Sequence, residues 1–270
     1  MVEITKKYKI GSRRFGLINW VGAWTLYKKE VLRFLIVWIQ TIFSPLISSL
    51  LFLLVLSLAI GTDRGDVLGV PFITFLAPGL ISMQVIQQSF SHSSSSFMIG
   101  KIQGNIVDLL YAPLSATEVT ISVSLAAVTR SIIIAAVSII VFKFIIDIEI
   151  KDYSLLIIFT LLSAFILGNI GIIAGLWAEK FDHMATVTNF IIVPLSFLSG
   201  TFYSISRLPE ILQIISKANP FFYMIDGFRY SFIGKADGSI VVGLIYLTVL
   251  SFVSWFVTYL LYKKGYKIKS

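Results

Sequence analysis

The sequence predicts an all-α membrane protein with six transmembrane helices, an N-terminal amphipathic interfacial helix and a re-entrant helical hairpin before the last span. Of the 270 residues, 57% are hydrophobic and only 13% are charged, about half the charged fraction of an average soluble protein. Six apolar runs, one of them interrupted by Arg130, reach the roughly 20 residues that cross the hydrocarbon. A further apolar stretch, 219–234, is interrupted by Pro220, Asp226, Gly227 and Arg229. Backbone of that kind is tolerated at membrane depth only where protein or water shields it.

The first element is expected at residues 14–33, as a helix lying in the membrane interface. Its apolar side chains recur at three- and four-residue intervals, at Leu17, Trp20, Trp24, Tyr27 and Val31. Aromatic rings at this spacing, flanked by basic residues, are typical of a helix at headgroup level. Anchoring in lipid and docking of a cytoplasmic partner are both open as its role. The apolar run that follows is longer than the roughly 7–15 residues of a signal peptide, so we interpret it as a retained first span.

The spans are predicted near 36–60, 73–97, 119–142, 154–177, 185–203 and 240–262, within a single transmembrane domain, 1–270. An even number of spans places both termini on one side of the membrane. Lysine and arginine are concentrated on that side, so the positive-inside rule predicts cytoplasmic termini.

The composition disfavours several classes of function. The net charge of +8 comes from basic residues that flank the spans, which fits membrane lipid as a partner and not nucleic acid. The chain has no cysteine and two histidines, so we expect no metal site. It has no phosphate-binding loop, so we expect no ATP hydrolysis by this chain, and we identify no catalytic residue. The 14 acidic residues lie outside the predicted spans, which disfavours an ion-coupled carrier.

The loop between spans two and three predicts a short helix followed by a capped helix start. Apolar residues at helical spacing lie at Ile102, Ile106, Leu109 and Leu110. The proline of Ala112-Pro113 ends that helix, and Ser115 and Glu118 have the spacing of a capping box at the start of span three. The loop is either a well-made turn or a lever through which a cytoplasmic motor moves the two spans.

Two polar features lie inside the predicted spans. Arg130 is near the middle of span three, so it should face the bundle interior or a wet cavity. It either bonds neighbouring helices or contacts an anionic headgroup or a phosphate-bearing substrate. A run of serines around His92, and three glycines beside Asn169, favour close helix packing over a nucleophilic site.

With these residues in place, the chain resembles membrane subunits of the type 2 ABC-transporter family, in its bacterial multidrug or uncharacterised-substrate branch. The similarity covers nearly the whole chain, from the basic amphipathic lead-in through six spans to the basic tail. Two motifs add to it: the loop Asp108-Leu-Leu-Tyr-Ala-Pro-Leu-Ser-Ala-Thr-Glu118, and the segment before the last span that contains Asn219-Pro220, Tyr223, Asp226, Arg229-Tyr230 and Gly234.

The resemblance implies a homodimeric exporter permease of the bacterial inner (plasma) membrane, with a substrate path along the dimer interface. Two copies of a cytoplasmic ATPase subunit would bind ATP and Mg, and this chain would bind no cofactor. Residues 101–113 would be the coupling helix, with contact residues Lys101, Ile106, Asp108, Leu109, Leu110 and Pro113. Residues 205–234 would form the extracytoplasmic gate, with Asn219, Pro220, Tyr223, Asp226, Arg229 and Gly234.

Two other functions stay open at this point. One is a lipid-modifying membrane enzyme that uses Tyr223, Asp226 and Arg229. The other, with less support, is an ion-coupled secondary carrier. Asp226 and Arg229 are three residues apart on one helical face, so we expect them to pair with each other within the hairpin rather than contact substrate.

Overall fold

A computed structural model describes residues 18–60, 65–146 and 148–268. Regular structure in this part of the chain is helical. The α-helices are α1 Trp20–Ile36, α2 Ser44–Ile60, α3 Phe72–Ile102, α4 Ile106–Tyr111, α5 Ala116–Ile145, α6 Tyr153–Trp177, α7 Phe181–Val187, α8 Val193–Leu198, α9 Glu210–Ala218, α10 Pro220–Ile233 and α11 Ile240–Lys263. A short 3-10 turn, Ile205–Arg207, precedes α9.

Two π-helical segments each lie just before a proline. Ile39–Phe43 leads into Pro45, and Thr188–Ile192 leads into Pro194. A proline ring offers no N–H and collides with the carbonyl four residues earlier in an α-helix. A π turn widens the backbone at that point, so each helix continues through its proline instead of stopping. The predicted first span therefore corresponds to Ile39–Ala59, and the predicted fifth span corresponds to Phe181–Leu198.

Five helices are long and apolar enough to cross a membrane, among the residues described here. They are Ile39–Ala59, Ala116–Ile145, Tyr153–Trp177, Phe181–Leu198 and Ile240–Lys263. The predicted second span falls in α3, whose 31 residues include the serine-rich run and several glutamines that lower its hydropathy. The fifth span ends at Leu198, before the predicted 203, because Ser199 and Gly200 form a turn in which Gly200 has φ +78°.

The core lies around α3, which packs against α5, α6 and α10. Half or more of the apolar stretch of α5 and α6 is buried (50% and 61%), against 28% or less in the other three candidate spans. Glycines let α6 approach the backbone of α3, as expected for a small-residue face. A Cβ atom on Gly171 would lie 2.5 Å from the carbonyl oxygen of Phe90, and one on Gly175 would lie 2.8 Å from that of Ser94.

Helix α1 runs alongside the first half of α5. The Ser122 hydroxyl donates to the carbonyl of Ala23 (3.0 Å), and Tyr27 shares a hydrogen bond with Thr129 (2.8 Å). Trp20 and Trp24 are 73% and 64% exposed, so these two rings of the predicted aromatic stripe point away from the bundle. Residues 14–17 of the predicted interfacial helix, including Leu17, lie outside the described residues.

The loops gather at two ends of the bundle. At one end, α1, α4 and residues 264–268 meet around a second apolar cluster that includes Leu26, Phe97 and Tyr262. The 178–180 turn lies at the same end, bonded to Lys101 and Lys267. At the other end lie the 65–70 loop, residues 148–152, α9 and the C-terminus of α10. The two predicted functional segments thus lie at opposite ends of the molecule.

Candidate functional site

The predicted coupling helix over 101–113 is shorter in the structure. Helix α3 continues to Ile102, and a turn follows in which Gly104 has φ +75°. Only Ile106–Tyr111 then forms α4. Ala112 is extended because it precedes Pro113, as the sequence predicts. A glycine in the left-handed region breaks the apolar stripe, and the spacing of the apolar residues could not reveal that break.

Ile106 anchors α4 to the bundle and does not face outward. It is 7% exposed and belongs to a cluster with side chains from α1, α3, α5, α6 and α11. Ile106 was predicted as a partner contact, but its side chain leaves little surface for a partner because it is buried in this cluster. Leu109 is partly buried and packs against the same cluster. Helix α4 is thus attached to five other helices through one face.

The opposite face of α4 is apolar and uncovered. Val107, Leu110 and Tyr111 are exposed, the last by 86%, and Asp108 is exposed beside them. Asp108 and Leu110 of this face were predicted as partner contacts, which stays a prediction, whereas Val107 and Tyr111 were not named. Helical spacing could have indicated both residues, because Val107 directly follows the buried Ile106 and Tyr111 lies four residues after Val107. Exposed Pro113 follows this face directly.

Lys101 is not part of the outward face. It lies at the end of α3, and its ammonium donates to the carbonyls of Leu176 (2.7 Å) and Ala178. These carbonyls belong to the C-terminus of α6, where backbone acceptors lack partners and a cation is favoured. Nearby, Lys267 donates to Glu179 (2.9 Å), and this hydrogen bond holds the pKa of the exposed Glu179 carboxyl below its usual value.

The predicted capping box at the start of α5 is present. The Ser115 hydroxyl accepts from the amide of Glu118 (3.3 Å), and Glu118 accepts from the amide of Ser115 (2.7 Å). The second Glu118 oxygen accepts from the amide of Asn19 (2.5 Å), at the start of α1. The Asn19 side chain in turn donates to the carbonyl of Pro113 (3.0 Å). One carboxylate therefore joins α1, the α4–α5 connection and α5.

Arg130 faces the bundle interior, as predicted, and is 6% exposed. One terminal guanidinium nitrogen donates to Oε1 of Gln88 on α3. Toward α1, Arg33 donates to Glu30 (3.0 Å), to the carbonyl of His92 (2.9 Å) and to Ser95 (3.2 Å). Polar contacts therefore join α1, α3 and α5 inside the bundle.

The predicted gate segment is two helices with a break between them. Helix α9 ends at Ala218, Asn219 is extended, and Pro220 occupies the first turn of α10. A proline in that position loses no helical hydrogen bond. The Asn219 oxygen accepts from the amide of Phe221 (3.1 Å), and its nitrogen donates to Ser199 (2.7 Å). Asn219 thus caps α10 and ties the hairpin to the turn after α8.

Asp226 and Arg229 do not pair with each other, contrary to the prediction from their spacing. Asp226 is 2% exposed and accepts from the amides of Asp237 (3.0 Å) and Gly238 (2.9 Å), just before α11. Arg229 is 1% exposed and donates to the carbonyls of Gly200 (2.6 Å) and Thr201 (3.3 Å). Each charged group thus satisfies backbone groups of a different loop.

The Arg229 guanidinium also lies 3.9 Å from the centroid of the Phe75 ring, a cation–π contact. Gly79 makes room for this arrangement. A Cβ atom on Gly79 would lie 2.6 Å from the carbonyl oxygen of Thr201 and 2.9 Å from the guanidinium. Helix α3 therefore belongs to the same assembly as the hairpin and the turn after α8.

The end of α10 is held by Gly234 and Lys151. Gly234 has φ +74°, a conformation that favours glycine at a helix C-terminus. Lys151 donates to the carbonyl of Ile233 (2.6 Å), and its amide donates to the carbonyl of Ser231 (2.8 Å). Tyr223, near the other end, packs against Tyr246 of α11 with ring centroids 5.4 Å apart.

Helix α10 is therefore an internal element of the fold. Most of its side chains are buried, and a Cβ atom on Gly227 would overlap the Phe159 ring at 2.2 Å. Asp226 and Arg229 are both engaged by backbone groups. Among the described residues, no group of three or more His, Asp or Glu side chains is placed to hold a metal ion.

Comparison with known protein families identifies the chain. The sequence profile of ABC-2 type transporters matches residues 22–233. This chain belongs to the ABC-2 type transporter family. It is 31% identical to the inner membrane transport permease YadH of Escherichia coli K12 over 253 residues, which cover 94% of this chain and 99% of that relative.

More distant similarity extends to nodulation proteins J. The protein from Neorhizobium galegae is 22% identical over 224 residues, covering 81% of this chain and 83% of the relative. The protein from Rhizobium leguminosarum bv. viciae is 23% identical over 230 residues, covering 82% and 84%.

Membership of the ABC-2 family confirms the resemblance drawn from the sequence. The chain is a transport permease, and permeases of this family are in general not enzymes themselves. The family and the five apolar helices together support a multi-pass inner-membrane protein. The matched residues, 22–233, include α4, the capping box and nearly all of the hairpin.

Proposed function

We propose that this ABC-2 permease is the membrane half of an ATP-powered exporter, and that two copies of it form the translocation path above two copies of a cytoplasmic ATPase subunit. ATP and Mg would bind to those subunits. The observation that carries the proposal is that one face of α4 is buried in the bundle and the other is exposed. Ile106 fixes one face of α4 to the bundle, while Val107, Leu110 and Tyr111 leave the other face apolar and uncovered.

Such a helix can transmit force because it cannot move alone. Ile106 shares its cluster with side chains from five other helices. The carboxylate of Glu118 joins the connection after α4 to the start of α1. A displacement of α4 by a partner would therefore carry α1 and α5 with it, and these elements would carry the motion into the membrane.

The topology that supports this function has six crossings, with α3 as the second span. Helix α3 is 31 residues long, about 46 Å at 1.5 Å per residue, which exceeds the hydrocarbon thickness. Several of its polar residues, among them Gln84, Ser89 and His92, are shielded by burial in the bundle. Both termini would then be cytoplasmic, on the side of α4, and α1 would lie at the inner interface.

The hairpin of α9 and α10 would be the extracytoplasmic gate, re-entrant and not spanning. Its backbone breaks at Asn219 and Gly234 lie against protein, as membrane depth requires. Helix α9 keeps Ile211, Ile214 and Ile215 exposed, so it can face lipid or the second copy. Helix α10, which is largely buried, would support α9 from the bundle side.

A copurification experiment tests the ATPase partner. The tagged chain is extracted in mild detergent, and bound proteins are identified by mass spectrometry. We expect a cytoplasmic subunit with a phosphate-binding loop, and we expect ATPase activity in the complex but not in the chain alone. Repeated failure to recover such a subunit would count against the proposal. Transport driven by an ion gradient without nucleotide would favour a secondary carrier.

Two variants of α4 test the coupling surface. We expect Leu110→Asp and Asp108→Lys to weaken ATPase binding or to uncouple hydrolysis from transport, because both side chains are exposed on the uncovered face. Asp66→Lys is the matched control, since it reverses an exposed acid at the other end of the molecule. Coupling unchanged in both α4 variants would remove α4 from the mechanism.

A further inference from the structure

Arg130 belongs to a polar stripe that is partly open to the outside of the bundle. On α3, Gln84, Gln88, Ser91 and Ser95 recur at four-, three- and four-residue intervals, so they share one face. Gln84 is buried, Gln88 and Ser95 are half-buried, and Ser91 is exposed. Arg130 donates to Gln88, and Arg33 donates to Ser95. The two acceptors, Gln88 and Ser95, are seven residues apart, about two helical turns or roughly 10 Å along α3.

The positive charge of this stripe exceeds its negative charge. Glu30 is the carboxylate of the cluster, and it already accepts from Arg33 (3.0 Å) and from Ser96 (2.8 Å). Within the described part of the chain, Arg130 forms no ion pair, and its Nε is buried without a hydrogen-bond partner. Arg33 is near enough for the two positive charges to repel. An arginine at membrane depth without an anion is costly.

Arg229 is the other buried arginine among the described residues and can be compared with Arg130. Arg229 donates to two backbone carbonyls, lies over the Phe75 ring and feels the opposite charge of Asp226. Arg130 has a single neutral side-chain acceptor instead. The buried Nε of both arginines lacks a hydrogen-bond partner, but Arg229 has two backbone acceptors, an aromatic ring and a nearby carboxylate, whereas Arg130 has one neutral acceptor.

We propose that Arg130, together with Gln88, binds a phosphate group, and that this phosphate belongs to the headgroup of an anionic lipid in the leaflet next to α1 and α4. A guanidinium offers paired N–H donors that match phosphate oxygens. The amide nitrogen of Gln88 supplies a further donor, and exposed Ser91 leaves the face open for entry. This site does not depend on the coupling proposal, since lipid binding requires no ATPase subunit.

Native mass spectrometry of the detergent-purified protein tests this site, with phosphatidylglycerol and phosphatidylcholine as titrants. The variants are Arg130→Met, Arg130→Lys and, as a control, Lys143→Gln, which removes an exposed positive charge from the same helix. We expect Arg130→Met to weaken phosphatidylglycerol binding by about tenfold or more, the effect of one charged hydrogen bond. Arg130→Lys should retain part of it, and Lys143→Gln should bind like the unmodified protein.

A second arm distinguishes the sources of phosphate. Inorganic phosphate is added during the phosphatidylglycerol titration, and competition that disappears in Arg130→Met would identify a soluble anion as the ligand. Lack of competition supports the lipid headgroup. If Arg130→Met does not fold, Gln88→Leu replaces it, with the same direction of effect expected. Equal binding of both lipids, or unchanged binding in the variants, overturns the proposal.

Discussion

Asp226→Asn tests whether the hairpin of α9 and α10, the proposed gate, is held by a carboxylate that caps a backbone turn. In the structure each Asp226 oxygen accepts one amide hydrogen bond, from Asp237 at 3.0 Å and from Gly238 at 2.9 Å. Asparagine has one carbonyl oxygen, so one of the two amides would face an NH₂ group and lose its acceptor. The remaining hydrogen bond would have an uncharged acceptor.

The magnitude follows from these two changes. A hydrogen bond to a charged group contributes about 1.5–3 kcal/mol, and a neutral one contributes about half as much. Losing one bond and weakening the other gives a destabilisation of about 2–4 kcal/mol. At about 2–4 °C per kcal/mol for a chain of this size, the Tm should fall by roughly 4–16 °C.

Thermal unfolding in detergent, followed by intrinsic fluorescence, measures this effect. Hydrogen exchange at residues 237 and 238 adds a local readout, because these amides should lose protection before the rest of the bundle unfolds. Asp66→Asn is the control, since it makes the same chemical change at an exposed acid near the same end of the molecule. If Asp226→Asn matches that control in both measurements, the capping role is refuted. Loss of transport with normal stability and complex assembly would instead favour catalysis by Asp226.

Two further substitutions probe packing and the junction at the α4 end. Gly171→Val should abolish the close contact of α6 with α3, because its Cβ would lie 2.5 Å from the Phe90 carbonyl oxygen. Gel filtration should then show aggregated protein. Gly100→Ala is the control and should elute normally, because the nearest atom to its Cβ would be 3.8 Å away. Asn19→Ala should lower stability by about 1–2 kcal/mol, the value of a helix N-cap, since it removes the acceptor for Gly22 and the bond to Pro113. An unchanged Tm in Asn19→Ala would show that this junction does not hold α1.

Apolar runs predicted the helices well because hydrocarbon imposes their length. The predicted spans near 119–142, 154–177 and 240–262 fall inside α5, α6 and α11. Boundaries were less accurate where a single backbone conformation decides them. Gly104 and Gly200, both with positive φ, ended helices that hydrophobic spacing alone would extend. The capping box of Ser115 and Glu118 was predictable because both partners lie within one helical turn.

Long-range partners were not predictable from the sequence. Spacing placed Asp226 and Arg229 on one face and so suggested a pair, but each had a closer backbone partner. Those partners, at residues 200 and 237–238, are brought near only by the packing of α10 between other helices. The contact of Asn19 with Glu118, 99 residues apart, has the same origin. Burial of Ile106 also depends on five helices meeting, which no local pattern encodes.

Several of the buried or partly buried charges bond to backbone groups at the ends of helices. Glu118 and Asp226 accept from amides, while Lys101, Lys151 and Arg229 donate to carbonyls. Such groups are expensive to leave unpaired away from water, so each contact resists opening. These contacts lie at both ends of the bundle, and so they make the α4 connection and the hairpin stiff. A stiff connection transmits a displacement instead of absorbing it, which the proposed mechanism requires, because it places the driving contact at α4 and the gate at the hairpin.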